Sequence, residues 1–147
     1  GMIPAGRVCD EPWAFWDFLP TAVELARTKL PDGFQSDGHS LTTMLKGGPA
    51  PRRDYFYWEL HEAAFLQAVR FGEWKAVRNG PSKPIELYDL KTDSGERHNR
   101  AAEKPELVAQ AESLLKTART DDPNWPVFEN QKQRQEWRKN RPGTRSR

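Results

Sequence analysis

Cysteine is almost absent. Cys9 is the one thiol in 147 residues, so no disulfide can form within the chain. Long apolar runs are absent as well. None approaches the roughly 18 residues that a membrane-crossing helix needs. The N-terminus has no basic stretch followed by an apolar one, so no signal peptide is expected, and the compartment is left unknown. No internal repeat is found, which argues against a solenoid. Hydropathy is low, with a mean of −0.90 and 30% charged residues. A chain this polar would tend toward disorder, but six Trp, seven Phe and three Tyr offset the tendency, because large aromatics bury much apolar area each. One core is expected, with polar ends.

Charge is unevenly spread. From Glu129 onward seven basic residues face two acidic ones, a net of +5, and since the whole chain carries +2, residues 1–128 carry −3. The body is mildly acidic and the tail, residues 127–147, is basic; such runs are usually solvated and flexible.

Periodicity divides the rest. Phe18, Ala22, Leu25 and Leu19, Val23, Ala26 recur at helical spacing within residues 10–28. Asp17 stands where it would cap the first turn, and Pro20 is tolerated there because early helical amides lack partners. Residues 31–53 read as connection, with Asp37-Gly38 and Gly47-Gly48-Pro49 as turn signals. Strand patterns follow at 55–60, 65–71, 74–78 and 85–90, with Gly72-Glu73 as a two-residue hairpin turn. Short connections make the sheet antiparallel. Pro105 opens a last helix whose Leu107, Ala111, Leu114, Leu115 and Ala118 share one face. Leu107, Leu114 and Leu115 are expected to be buried against the sheet, and Trp58, Trp74 and Tyr88 to be core aromatics. The predicted fold class is α+β: a small four-stranded antiparallel sheet packed by a C-terminal helix and preceded by a further helix.

The order of these segments resembles the late part of the sulfatases, the arylsulfatase family of alkaline-phosphatase-like fold. Asp17-Phe18-Leu19-Pro20-Thr21 is similar to that family's D-x-x-P-T segment, and Asp37-Gly38-His39-Ser40-Leu41 to its D-G-x-S-L element. Tyr57-Trp58-Glu59 and Ala68-Val69-Arg70-x-Gly72-x-Trp74-Lys75 resemble its Y-W-E and A-V-R-x-G-x-W-K strands. Glu86-Leu87-Tyr88-Asp89-Leu90 with Asp93, Glu96 and Asn99 resembles E-L-Y-D-L-x-x-D-x-x-E-x-x-N. The resemblance implies residues 1–50 as the tail end of a catalytic domain, with a helix left over from that large domain. It implies 51–126 as the C-terminal α+β domain and 127–147 as a basic, flexible tail. It also implies a parent that uses calcium and a cysteine converted to formylglycine, and a family that is often exported.

The family's nucleophile lies in C-x-P-x-R. Cys9-Asp10-Glu11-Pro12-Trp13 does not fit, since the proline is one place late and the arginine is missing. Asp37, Asp89 and Asp93 are too scattered to supply the six or more oxygens calcium takes. The expectation is a chain with no catalytic residue, metal or cofactor of its own, structural in role and inactive alone. Its expected partner is the sulfatase catalytic domain, with a homodimer through the Asp17 helix as a further possibility. His61, Glu62, Arg70 and Lys75 are the candidates for lining a substrate entrance, set against the plainer reading of surface residues on a half-exposed sheet. His39 and His98 read as loop residues. Asp89, Asp93 and Asn99 read as turn residues whose side chains bind backbone amides. The alternative function is a small non-enzymatic binding module whose basic tail grips polyanions. Nucleic acid is not the expected partner, nor is a membrane.

Overall fold

The computed structural model describes residues 1–62 and 65–140. They form two compact units, Gly1–Arg53 and Asp54–Arg147.

In the first unit a 3-10 turn, Phe15–Asp17, leads into α1, Phe18–Leu25; a short helix α2 spans Thr42–Leu45. The periodic stretch 10–28 is thus α-helical over less than half its length. Asp17 does not cap α1 with its side chain. Its carboxylate is turned elsewhere, accepting from the amides of Ala14 (Oδ2, 2.9 Å) and His39 (Oδ1, 2.9 Å) and from the Arg53 guanidinium. The cap was the wrong assignment because the first α1 residues continue directly from the 3-10 turn, whose own start needs the carboxylate more. The Thr21 hydroxyl donates to the Asp17 carbonyl at 2.6 Å and accepts from the Leu41 amide at 2.9 Å. Asp17 and Thr21 together therefore fasten the 39–41 segment to α1. Gly38 permits the approach: a Cβ there would lie 2.0 Å from the Trp16 carbonyl oxygen.

The second unit holds a four-stranded antiparallel sheet in the order β1-β2-β3-β4, with β1 Phe56–Leu60, β2 Leu66–Phe71, β3 Trp74–Arg78 and β4 Ile85–Asp89. Gly72, at φ +56°, makes the tight β2–β3 turn, a left-handed conformation that glycine adopts without a Cβ penalty. Side chains alternate between faces. Val69, Ala76 and Leu87 lie in register across three strands and are fully buried with Phe71 and Ile85. Helix α3, Pro105–Thr117, covers them with Ala111 and Leu115. Leu107 and Leu114 flank this contact half-buried, so α3 seats its Ala111–Leu115 line on the sheet rather than the Leu107–Leu114 edge. Small Ala76 and Ala111 let the helix come close. Trp74 packs half-buried against this core, but Trp58 is 39% exposed on the other face, a correction to its expected core place.

The β4–α3 loop is pinned as its Asp and Asn residues suggest. Asn99 accepts from the amides of Leu87 and Ala101, Asp93 from those of Arg97 and His98, and Asp89 from that of Lys91. A helix α4, Gln131–Asn140, occupies part of the basic C-terminal run. Arg141, Arg145 and Arg147 of that run lie outside the described residues.

Candidate functional site

The four candidates separate into two places. Arg70 and Lys75 are directly paired across β2 and β3 on the face away from α3. With Trp58, Ala68, Leu90, Ser94 and Glu96 they line an open groove of about 620 Å³. Lys75 Nζ is 2.6 Å from Glu96 Oε1, so its charge is largely answered within the groove. Glu96 reaches it from a backbone at φ +53°. Arg70 has no carboxylate partner among the described residues; its Nε donates weakly to the Gly72 carbonyl at 3.4 Å. This face presents an indole beside a guanidinium, a pairing suited to a ring that carries negative charge.

His61 and Glu62 lie elsewhere. Glu62 is exposed beyond the end of β1. The His61 ring packs at 5.0 Å from Phe65 and 5.8 Å from Trp125, and its Nε2 lies 3.0 Å from Glu59 Oε1. Glu59 also accepts from the Tyr57 hydroxyl at 2.6 Å and pairs with Arg119 at 3.2 Å. Gln67 donates to the Tyr57 hydroxyl and to the Leu115 carbonyl at the end of α3. Arg119 in turn pairs with Asp121, donates to the Trp125 carbonyl and lies over the Phe65 ring. Burial, joined by the Glu59 carboxylate, drives the Tyr57 phenol far above its usual range against the opposing pull of Gln67. This is a clamp between β1, β2 and the chain leaving α3, and it fixes His61 rather than presenting it as a free base.

Other motif residues prove structural. Glu86 accepts from the Tyr88 hydroxyl at 2.7 Å, and this bond, more than burial, pushes the Tyr88 phenol up to about 12. At Asp17 burial alone would raise the carboxyl; the Ala14 and His39 amides and Arg53 outweigh it, and the group is held below the ordinary carboxylate value.

Sequence reading places Glu59 and Glu96 within motif segments without giving either a partner, and it misses Arg119; the Lys75–Glu96 and Arg119–Glu59 pairs join points far apart in the chain. Trp125 and Phe128 left a faint signal as aromatics in an otherwise polar tail.

Among the described residues, no group of three or more His, Cys, Asp or Glu is arranged to hold a metal ion. The carboxylates of Asp89 and Asp93 are spent on turn amides, so these residues do not fit a calcium site. Cys9 is exposed. No described helix is long and apolar enough to cross a membrane.

No family model matches the chain. Over 86 residues it is 36% identical to arylsulfatase D of Homo sapiens, which covers 55% of this chain and 14% of that protein. Over 142 residues it is 31% identical to an uncharacterized sulfatase of Schizosaccharomyces pombe, covering 82% of this chain and 25% of that one. Among solved structures, a 2-O GAG sulfatase superposes with a TM-score of 0.61 at 29% identity, over 69% of this chain and 23% of the other. The chain thus spans a quarter or less of these three proteins. The ordered motifs, the four-stranded antiparallel sheet under one helix and these matches agree: the chain belongs to the sulfatase family, as a C-terminal region of it.

Proposed function

We propose that this chain is the non-catalytic C-terminal part of a sulfuric ester hydrolase, which packs on the catalytic domain and shapes the entrance for an anionic substrate. The observation that carries the reading is the sheet face away from α3, where Trp58 and Arg70 line an open groove. A guanidinium attracts a sulfate group by charge and paired hydrogen bonds, and an indole offers a flat surface for a ring. Lys75, tied to Glu96, sets the position of this groove more than it binds. His61 and Glu62 lie away from this groove and take no part in the proposed entrance. Calcium and formylglycine would belong to the parent's catalytic domain, and no step is assigned to them here.

The exposed apolar residues of the first unit, among them Phe15 (86%) and Phe18 (62%), support a partner surface there. In the parent the catalytic domain would cover it; in the isolated chain a second copy would. Light scattering that gives a clean monomer at high concentration would count against the homodimer.

Two assays test the main reading. The chain incubated with 4-nitrophenyl sulfate, with and without calcium, is expected to release no nitrophenol above buffer. Turnover that survives Cys9→Ala would contradict inertness, and turnover lost with Cys9→Ala would contradict the dismissal of Cys9. Titration with a sulfated glycosaminoglycan disaccharide, a ligand suggested by the GAG sulfatase neighbour, is expected to move the Trp58 indole N–H signal in an NMR spectrum. The shift should vanish in Arg70→Ala. A Trp58 signal that never moves sinks the entrance role.

A further inference from the structure

A second cavity, of about 390 Å³, lies between the end of β1, the segment following α3, and α4. Its size falls within the roughly 300–1,000 Å³ of small-molecule sites. The rings of Trp125, Phe128, Trp137 and His61 wall it. Phe128 meets Trp137 at 5.6 Å and 53°, and His61 meets Trp125 at 5.8 Å and 59°, tilted contacts that brace the walls against each other. His61 is held in turn by Glu59.

The charge in the lining is of one sign. Arg134 and Arg138, four residues apart, share one face of α4 with Trp137 between them. Glu136, the acid of that helix, is two residues from each arginine and so falls on the opposite side. Among the described residues, no carboxylate lines the cavity, and Asn124 is the one neutral amide or hydroxyl side chain that does. A polyhydroxylated sugar would leave hydroxyls without partners in such a lining, at a cost. A flat apolar ring with one negative group would leave none.

We propose that this cavity binds a small aromatic monoanion, with its ring against Trp125, Phe128 and Trp137 and its acidic group on Arg134 and Arg138. The site is separate from the Trp58–Arg70 groove and does not depend on it. The test is an NMR titration of the full chain with phenylacetate. The Trp125 and Trp137 indole N–H signals should shift saturably while those of Trp58 and Trp74 stay. Phenylacetamide, the uncharged analogue, should bind about fivefold more weakly, and Arg134→Gln or Arg138→Gln should each weaken phenylacetate by about as much. Trp137→Ala should abolish binding. Should that change also unravel α4, Trp125→Ala serves instead, since Trp125 is more than half exposed and lies outside that helix. No saturable shift at Trp125 and Trp137, an amide that binds as well as the acid, or arginine variants that bind like the unmodified chain would each overturn the proposal. Equal shifts with inorganic sulfate would overturn it too, by showing that the ring plays no part.

Discussion

The two units are held together by different means. Asp54–Arg147 has a sheet-and-helix core in which Val69, Ala76, Leu87 and Ala111 are completely buried. Gly1–Arg53 buries Ala14, Leu41 and Met44, but its other buried residues are Asp17, Thr21 and Thr42, and it leaves Val8, Trp13, Phe15 and Phe18 exposed. One unit is stabilised by apolar area removed from water, which is non-directional and tolerant. The other depends on directional bonds converging on one carboxylate, where a single lost partner strands several groups at once. A region of the second kind leaves large apolar side chains outside, and the partner surface proposed above rests on them.

The largest effect is expected from Leu115→Ala. Leu115 is 1% exposed under the sheet, so the truncation should cost about 4 kcal/mol. Hydrogen exchange should quicken at Val69, Ala76 and Leu87 while the Ala14 and His39 amides keep their protection. Faster exchange throughout would mean that the two units unfold as one.

Asp17→Ala is the converse experiment, with an expected cost of about 3 kcal/mol from the buried Ala14 amide, the part-buried His39 amide and the Arg53 guanidinium that it strands. Protection should fall at Ala14 and His39 and persist in the sheet. The same dependence has a pH signature. The folded Asp17 carboxyl lies below its ordinary value of 3.8, so its contribution is complete above about pH 5 and fades as the pH drops through the folded value. The first unit should loosen in that acid range before the second; sheet amides that open first would refute the assignment.

Gly38→Ala should cost about 2 kcal/mol, because the new methyl meets backbone rather than a movable side chain. Near-normal stability in a thermal melt would show that the 38–41 segment can shift aside. The smallest effect is expected at Lys75→Met. Its ion pair with Glu96 is about 30% exposed at each partner, and such pairs contribute roughly 0.5 kcal/mol. A larger loss would make that pair a structural anchor of the groove and sharpen the contrast with Arg70.

Most of the second unit was legible along the chain. Residues 74–78 alternate and are bounded by turn residues, and β3 occupies that span. Pro105 marks the α3 start because a missing N–H costs nothing in a first turn. Asp93 acts over a few residues, as Asn99 does toward Ala101, and these turn roles could be inferred from type and place. The first unit was less legible. Asp17 looks like a cap from its neighbours alone, and nothing near it announces His39 or Arg53 as partners.

Periodicity and turn chemistry act over a few residues, and they were enough to set the strands, the last helix and its packing against one side of the sheet. The family resemblance, too, was carried by short segments in order. Tertiary structure alone decided that Trp58 stands outside, that Lys75 is answered by Glu96, and that His61 is locked to Glu59 while Arg70 lines a separate groove. Those outcomes depend on side chains brought together from distant points of the chain, and a hydrogen bond or ion pair exists only once the backbone has fixed both partners within a few ångströms.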